Sequence, residues 1–175
     1  MDVHLAVASK RDVRAYADEA LSSEVERRIL DAGRLAGSAR NRQPCRFAIP
    51  EGDAVAAVAR AVYAPGNVLG AALVVAVVVT PGGGLVDFDA GRAAQNMMLA
   101  GWAEGAASCP NGIADQDAMS RALGLEPPER AVVVLSFGRP RASRDPSRRS
   151  ADEWSRRARR MPLDALVRRV GSGRR

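Results

Sequence analysis

Two uninterrupted apolar stretches predict the strands at the centre of the fold. Residues 73–80 and 131–137 consist almost wholly of valine, alanine and other apolar residues, without alternating polar positions. Strands with this pattern are covered on both faces, whereas alternating strands expose one face to water. A shorter segment at residues 46–49, which ends at Pro50, predicts a third strand. The pattern therefore indicates a sheet buried between other elements.

Helical periodicity accounts for much of the chain between these strands. Residues 23–26 have the spacing of a capping box, and an apolar stripe follows as far as Gly37. Asp53 is placed to cap a helix through about residue 62, and Asp89 to cap a long alanine-rich helix over residues 90–107. Shorter helices are predicted over residues 2–10 and 115–123. This alternation of helices and strands predicts one α/β or α+β domain over residues 1–175.

The remaining segments predict turns and loops. Residues 64–67 and 108–112 contain proline, glycine and asparagine in turn-forming order, and residues 81–84 form a Pro-Gly-Gly-Gly break. Residues 141–160 are polar and arginine-rich, which indicates a loop. A final element starts at Pro162.

Composition and charge leave several classes of partner open. The chain is 47% apolar but only 4% aromatic, carries a net charge of +6, and has Lys10 as its only lysine. A basic balance is compatible with nucleic acid, a membrane surface or a phosphate-bearing ligand. Few aromatic residues lie between the arginines, which argues against nucleic-acid binding.

Several kinds of catalytic site are excluded by the residues present. His4 is the only histidine and no serine or cysteine lies in a nucleophile motif, so a catalytic triad is not expected. Cys45 and Cys109 form no CxxC pair, and no zinc-ligand set or other metal site is predicted. The usual glycine-rich phosphate loops are also absent. We therefore expect any catalysis to depend on a cofactor with its own reactivity.

The location of the protein is predicted from what its termini and apolar segments lack. The first residues contain charges and no apolar core of a secretory signal. The longest apolar run, residues 68–79, is shorter than the roughly 20 residues that span a bilayer. Two cysteines fit a reduced compartment. We expect a soluble, cytoplasmic protein.

Five short motifs occur in order between residues 10 and 163. They are KRDVRAY at 10–16, SARNRQPCRF at 38–47, DAGRAAQNMMLA at 89–100, GRP at 138–140 and RMPL at 160–163. Together they resemble the RRSxRxF/Y, SxxNxQPWxF, DxGxAxQNxxLAA, GYP and RKPL signatures of the FMN-dependent nitroreductase family. The resemblance covers roughly residues 10–167.

The resemblance implies an α+β three-layer fold, with a central mixed or antiparallel sheet flanked by helices, in an intertwined homodimer. One FMN would bind at each of two subunit-interface sites. By motif position, Lys10 and Arg160 would hold the phosphate, and Arg14 would support the reduced flavin electrostatically. Ser38 and Asn41 would reach the partner's flavin, and backbone amides near Asn111 and Gly112 would approach its N5 and O4 edge. The implied cofactor-binding set is Lys10, Arg11, Asp12, Arg14, Ser38, Ala39, Asn41, Pro110, Asn111, Gly112 and Arg160.

The implied reaction is ping-pong hydride transfer from NADH or NADPH through FMN to an electron-poor acceptor, such as a nitroaromatic or a quinone. No catalytic side chain is implied beyond the electrostatic support from Arg14. Three alternatives stay open. A deazaflavin could replace FMN. RDVR at residues 11–14 also resembles a relative that cleaves reduced FMN with oxygen to form dimethylbenzimidazole. The third is a non-enzymatic, arginine-rich protein that binds nucleic acid or anions.

The sequence departs from the family motifs at two positions that bear on the site. Asp12 replaces a serine beside the ribityl chain and adds a negative charge. Cys45 replaces a tryptophan and leaves room where the motif places an indole. The resemblance also favours a strand at residues 163–167, added to the partner's sheet, over a helix.

Overall fold

The computed structural model of the chain describes residues 1–82 and 85–171. They form two compact units: the larger spans Lys10–Arg144, and the smaller combines Met1–Ser9 with the chain from Asp145 onwards. The single domain expected over residues 1–175 stays a prediction. Of the flexible break predicted at residues 81–84, positions 83 and 84 lie outside the described residues.

A four-stranded antiparallel sheet lies at the centre of the described part of the larger unit. Its strands are β1 (Cys45–Ala48), β2 (Leu73–Val79), β3 (Ala107–Asn111) and β4 (Arg130–Gly138), in the order β1-β2-β4-β3. Every residue of β2 is buried. The two apolar stretches are strands, as predicted, and the structure pairs them with each other as β2 and β4 in the middle of the sheet.

Two helices cover one face of this sheet. They are α2 (Ser23–Arg34) and α5 (Val86–Ala103), whose Ile29 and Met97 are fully buried in the core. Helix α2 approaches the sheet closely at Gly33, where a Cβ atom would lie 2.8 Å from Cζ of the Phe47 ring. A larger residue at this position would push the helix off the sheet.

Three shorter helices cover the opposite face. They are α3 (Asp53–Arg60), α4 (Pro65–Leu69) and α6 (Gln116–Leu123), and their buried residues include Val58 and Met119. Successive side chains of a strand point to opposite faces, so alternate residues of β2 enter the two cores. The predicted α+β, three-layer arrangement is confirmed.

The boundaries of α2 differ from the predicted ones. Ser22 rather than Ser23 is the N-cap, and its side chain accepts a hydrogen bond from Val25 N–H. The helix ends at Arg34 instead of continuing to Gly37. Both serines can accept such a bond, and the backbone conformation alone decides between them.

The predicted aspartate caps of α3 and α5 are wrong. Gly52, with a φ of 53°, occupies the N-cap position of α3, so Asp53 lies inside the helix. Helix α5 begins at Val86, so Asp89 is also a helical residue, and it is buried. Its carboxylate accepts a hydrogen bond from outside the helix instead of capping it.

Two segments predicted as turns are regular elements. Residues 65–69 form helix α4, and residues 107–111 form β3, which pairs with β4. Proline is tolerated in β3 because this strand lies at the edge of the sheet. Turn-forming residue types therefore misled the prediction where tertiary pairing satisfied the backbone.

The smaller unit also differs from the predicted loop and strand. Helix α7 (Ala151–Arg157) lies within the expected loop and begins with a capping box between Ser150 and Glu153. Residues 163–166 form a helical turn, α8, with Val167 N–H donating to Leu163 C=O over 3.1 Å. A strand there would need the hydrogen bonds of another subunit's sheet, whereas a helical turn satisfies the backbone locally.

Helix α1 (Val3–Ser9) confirms the short helix predicted at the N-terminus and packs against α7. The end of this unit carries exposed apolar side chains, namely Met161, Leu163, Leu166, Val167 and Val170. None of the helices in the described ranges combines the length and the apolar character that crossing a lipid bilayer requires.

Candidate functional site

The segment at residues 10–14 lies beside edge strand β3. Asp12 forms an isolated parallel bridge with Ser108, and Val13 N–H donates to Ser108 C=O over 3.0 Å. Val13 is buried, whereas Arg14 is exposed and has no polar partner among the described residues. The pairing thus fixes the backbone and leaves the guanidinium available to a ligand.

Lys10 is held in a nearly buried position, with a side-chain exposure of 9%. Its ammonium group donates to Asp12 Oδ1 over 2.6 Å and to Met98 Sδ over 3.4 Å. Asp12, which stands where the resembled motif has serine, therefore neutralises the cation that is predicted to hold a phosphate. Arg11 instead donates to the Lys10 carbonyl oxygen over 2.7 Å.

The charged groups of this segment lie close to strand β3. Burial is the main effect on the Cys109 thiol and raises its pKa. The negative charge of Asp12 raises this pKa further, whereas the positive charges of Arg14 and Lys10 lower it. The thiol is therefore protonated at neutral pH. The bridge from Asp12 to Ser108 and the bond from Lys10 to Asp12 place this charged segment beside β3.

A buried hydrogen-bond network fixes the end of β3. The Asn111 side chain donates to the carbonyl oxygens of Cys109 and Val134, each over 3.1 Å, and to Ser136 Oγ over 3.4 Å. Its Oδ1 accepts a bond of 2.6 Å from Asn67 on α4. Since the Asn111 side chain is committed to the interior, only its backbone can approach a ligand. Asn67 and Ser136 were missed because single buried polar residues leave no periodic signal in a sequence.

Tyr16 joins the same network through Ser136. Its hydroxyl lies 2.9 Å from Ser136 Oγ and donates to the Ser136 carbonyl oxygen over 3.1 Å. Burial raises the pKa of Tyr16 to about 12, although its bond to Ser136 acts in the opposite direction. Tyr16 thus anchors the segment that carries Asp12 and Arg14.

The stability of the protein at alkaline pH should depend on Tyr16. The pKa rises from 10.0 to about 12 on folding, so the folded state binds this proton more tightly between those values. The contribution is fully present below pH 10 and falls by on the order of 2 kcal/mol as the pH rises towards 12. Urea unfolding of wild type and Tyr16→Phe at pH 9 and pH 11 checks this. Equal losses of stability in both proteins would contradict it.

Gly112 follows the network and is exposed. Its N–H has no partner among the described residues, while its carbonyl oxygen accepts the Tyr63 N–H over 3.1 Å. A Cβ atom at this position would lie 3.2 Å from Tyr63 Cδ2. Pro110, on the same edge, is exposed and has no N–H to offer. The structure therefore brings Pro110, Asn111 and Gly112 to the same edge strand as Lys10, Asp12 and Arg14.

One hydrogen bond to helix α5 and one within the loop fix the loop at residues 38–43. Ala39 N–H donates to Asp89 Oδ2 over 3.1 Å, and Gln43 N–H donates to Ser38 Oγ over 2.9 Å. Asn41 is exposed. Asp89 thus positions the predicted flavin-contacting loop from inside α5.

The same loop holds three residues in the left-handed region of backbone conformation. The φ angles of Arg40, Asn41 and Gln43 are 54°, 55° and 51°. The left-handed conformation is about 1 kcal/mol less favourable than the right-handed one for a residue other than glycine, and the difference is smaller for asparagine. Such strain persists where the surroundings impose it, and it clusters at ligand-binding sites.

The two halves of the predicted site contact different positions along α5. The loop touches Asp89 through Ala39, whereas Lys10 touches Met98. At 1.5 Å per residue, these positions are about 13 Å apart along the helix. Within one chain, the loop and Lys10 therefore contact α5 at separate places. Arg160, the remaining predicted residue, is exposed in the smaller unit.

Cys45 lines a surface groove of about 630 Å³ together with Gly33 and Phe47. Burial raises the pKa of its thiol. The small side chain thus borders open space at the position where the resembled motif places an indole.

A sequence model of the Nitroreductase family matches residues 7–80 and 85–139, which is more than half of the chain. The chain belongs to the nitroreductase family. Its membership confirms the resemblance that the five motifs indicate, and it assigns the chain to a family of oxidoreductases. The roles of the individual residues stay predictions.

Solved nitroreductase structures share the fold. A structure from Desulfovibrio desulfuricans in complex with FMN is 27% identical, covers 99% of each chain and has a TM-score of 0.81. A nitroreductase family protein from Clostridium difficile is 23% identical, with 96% and 98% of the two chains covered and a TM-score of 0.80. Nitroreductase A from Vibrio parahaemolyticus is 17% identical over 99% of this chain and 78% of that one, with a TM-score of 0.81. At 23% and 17% identity, the last two comparisons show a similar fold and nothing more.

Proposed function

We propose that this nitroreductase family member is an FMN-dependent NAD(P)H oxidoreductase. The observation that carries the proposal is the family match, together with the FMN bound to the 27% identical Desulfovibrio structure. When bound, FMN accepts a hydride from NADH or NADPH and passes two electrons to an acceptor such as a nitroaromatic or a quinone. The protein then has to bind and orient FMN and the two substrates, and to stabilise the negative charge on the reduced flavin.

The residues beside β3 fit a flavin mononucleotide. Lys10 provides a nearly buried ammonium group for the phosphate, and Arg14 provides an unpaired guanidinium that would favour negative charge on the reduced flavin. The exposed N–H of Gly112 is free to donate to an acceptor on the ring edge. The Asp12 carboxylate can accept hydrogen bonds from ribityl hydroxyls.

A second copy of the chain would complete the site. Ser38, Ala39 and Asn41 lie on a loop that contacts α5 about 13 Å from the position that Lys10 contacts. In a homodimer, this loop would serve the partner's FMN. Exposed apolar side chains after residue 160 support an association that covers them, since soluble monomers seldom expose clusters of this kind.

The absorbance spectrum of the purified protein tests the proposal. We expect a flavin spectrum, or its appearance on reconstitution with FMN, and bleaching by NADH or NADPH under anaerobic conditions. Protein that cannot be loaded with FMN would overturn the proposal. Dimethylbenzimidazole among the products after aerobic reduction would assign the chain to flavin cleavage instead.

Replacing Asp12 by serine, the residue of the family motif, should strengthen FMN binding by about fivefold. The change removes a negative charge beside the proposed phosphate ligand and frees the Lys10 ammonium group, and partly exposed pairs of this kind contribute on the order of 1 kcal/mol. Fluorescence titration of the apoprotein measures the affinity. Weaker FMN binding by Asp12→Ser would contradict this and would indicate that hydrogen bonds from the ribityl hydroxyls to the carboxylate outweigh the effect of its charge.

A further inference from the structure

Tyr63 is an aromatic residue whose side chain is largely exposed to solvent. Its exposed fraction is 77%, whereas the other tyrosine of the chain, Tyr16, is 5% exposed. Aromatic residues make up only 4% of the sequence, so such exposure stands out. An aromatic ring with a polar tip suits a surface where one side meets a ligand and the other meets water.

The backbone beneath Tyr63 is fixed to the end of β3 from several directions. Its N–H donates to Gly112 C=O over 3.1 Å, and the preceding residue, Val62, forms an antiparallel bridge with Ile113. Further along the chain, Asn67 is bound to Asn111 over 2.6 Å. These contacts fix the backbone from which the Tyr63 ring projects, although the ring itself is mostly in solvent.

The ring lies against Gly112, the residue whose exposed N–H is the proposed donor to the flavin edge. A Cβ atom on Gly112 would be 3.2 Å from Tyr63 Cδ2 and 3.6 Å from Cε2. Any side chain there would press on the ring. Exposed Leu69, on the helix that follows Tyr63, adds apolar surface to the same segment.

We propose that Tyr63 forms an aromatic wall of the substrate site and selects planar, electron-poor aromatic acceptors by stacking. The inference rests on the proposed function, because it takes Gly112 as the position of the flavin edge. The electron-rich phenol ring attracts an electron-deficient ring in an offset stack, whereas a compact inorganic acceptor gains nothing from it. Tyr63 thus determines acceptor preference without taking part in electron transfer.

The test compares Tyr63→Leu and Tyr63→Phe with wild type, all loaded with FMN. Each enzyme is assayed with NADH or NADPH as donor and with a nitroaromatic, a naphthoquinone or ferricyanide as acceptor. We expect Tyr63→Leu to raise KM for both aromatic acceptors by on the order of tenfold, with ferricyanide unchanged. Tyr63→Phe keeps the ring and should restore the wild-type KM. Leu35→Ala, at another exposed apolar side chain, serves as the matched control.

A binding measurement separates stacking from damage to the fold. Benzoate, a planar and unreactive probe, should perturb the absorbance of the bound oxidised flavin in wild type and Tyr63→Phe, and about tenfold more weakly in Tyr63→Leu. An unchanged KM for aromatic acceptors, or an equal loss with ferricyanide, would overturn the inference while leaving the proposed function standing. Failure of wild type to bind FMN would overturn both.

Discussion

Replacing Asn111 by leucine is expected to destabilise the larger unit by roughly 3–5 kcal/mol. The change removes a buried partner of the Asn67 amide, of two carbonyl oxygens and of the Ser136 hydroxyl, although Ser136 keeps its bond to Tyr16. Leucine has the same number and branching of side-chain heavy atoms and leaves no cavity, so the loss reports chiefly on the hydrogen bonds. Urea unfolding should show a lower midpoint with an unchanged slope.

Asn96 provides the matched control for this experiment. It lies on the exposed side of α5 and makes one long bond, 3.3 Å, to the Ala32 carbonyl oxygen. Asn96→Leu should therefore change the free energy of unfolding by about 0.5 kcal/mol or less. If Asn111→Leu lost no more than this control, the network would not be what holds the end of β3.

Lys10→Met should weaken FMN binding by roughly 10- to 100-fold and leave riboflavin binding nearly unchanged. A charge-assisted bond to a phosphate contributes about 1.5–3 kcal/mol, and a factor of ten corresponds to about 1.4 kcal/mol. Riboflavin lacks the phosphate, so it reports any general damage to the site. Methionine retains the packing of the stem, and Asp12, 45% exposed, remains solvated without its partner.

Fluorescence titration of the apoprotein with both flavins gives the two affinities. Arg156→Gln, a change at an exposed arginine of α7, serves as a control for the loss of one positive charge. Equal losses for FMN and riboflavin would indicate a distorted site. An unaffected FMN affinity would remove Lys10 from the phosphate site.

The central strands could be predicted because a run of apolar residues without polar positions indicates a strand that is buried on both faces. Residues 73–79 contain no polar side chain, and no other element of the described fold tolerates such a run as well as a covered strand. The family could be predicted for a different reason. Five motifs in fixed order specify it although each is short, and the family match confirms it.

Caps and short elements could not be predicted with the same certainty. Ser22 and Ser23 are chemically equivalent, and only the backbone geometry makes Ser22 the cap of α2. Pro110 and Asn111 are residue types that favour a turn. They form a strand because β4 provides the hydrogen-bonding partners for their backbone. Residues 163–166 take a helical turn, although the resemblance favours a strand that depends on a second subunit.

The sequence by itself determined the family, the three-layer class of fold and the chemical types of the candidate ligands, because these follow from residue identity and local order. Tertiary structure alone decided which of them meet. It placed Asp12 against the Lys10 ammonium, turned the Asn111 side chain into the core and set the Tyr63 ring on Gly112. These contacts join residues that are distant in sequence, or choose one of several allowed side-chain directions. No periodicity or motif encodes such a choice.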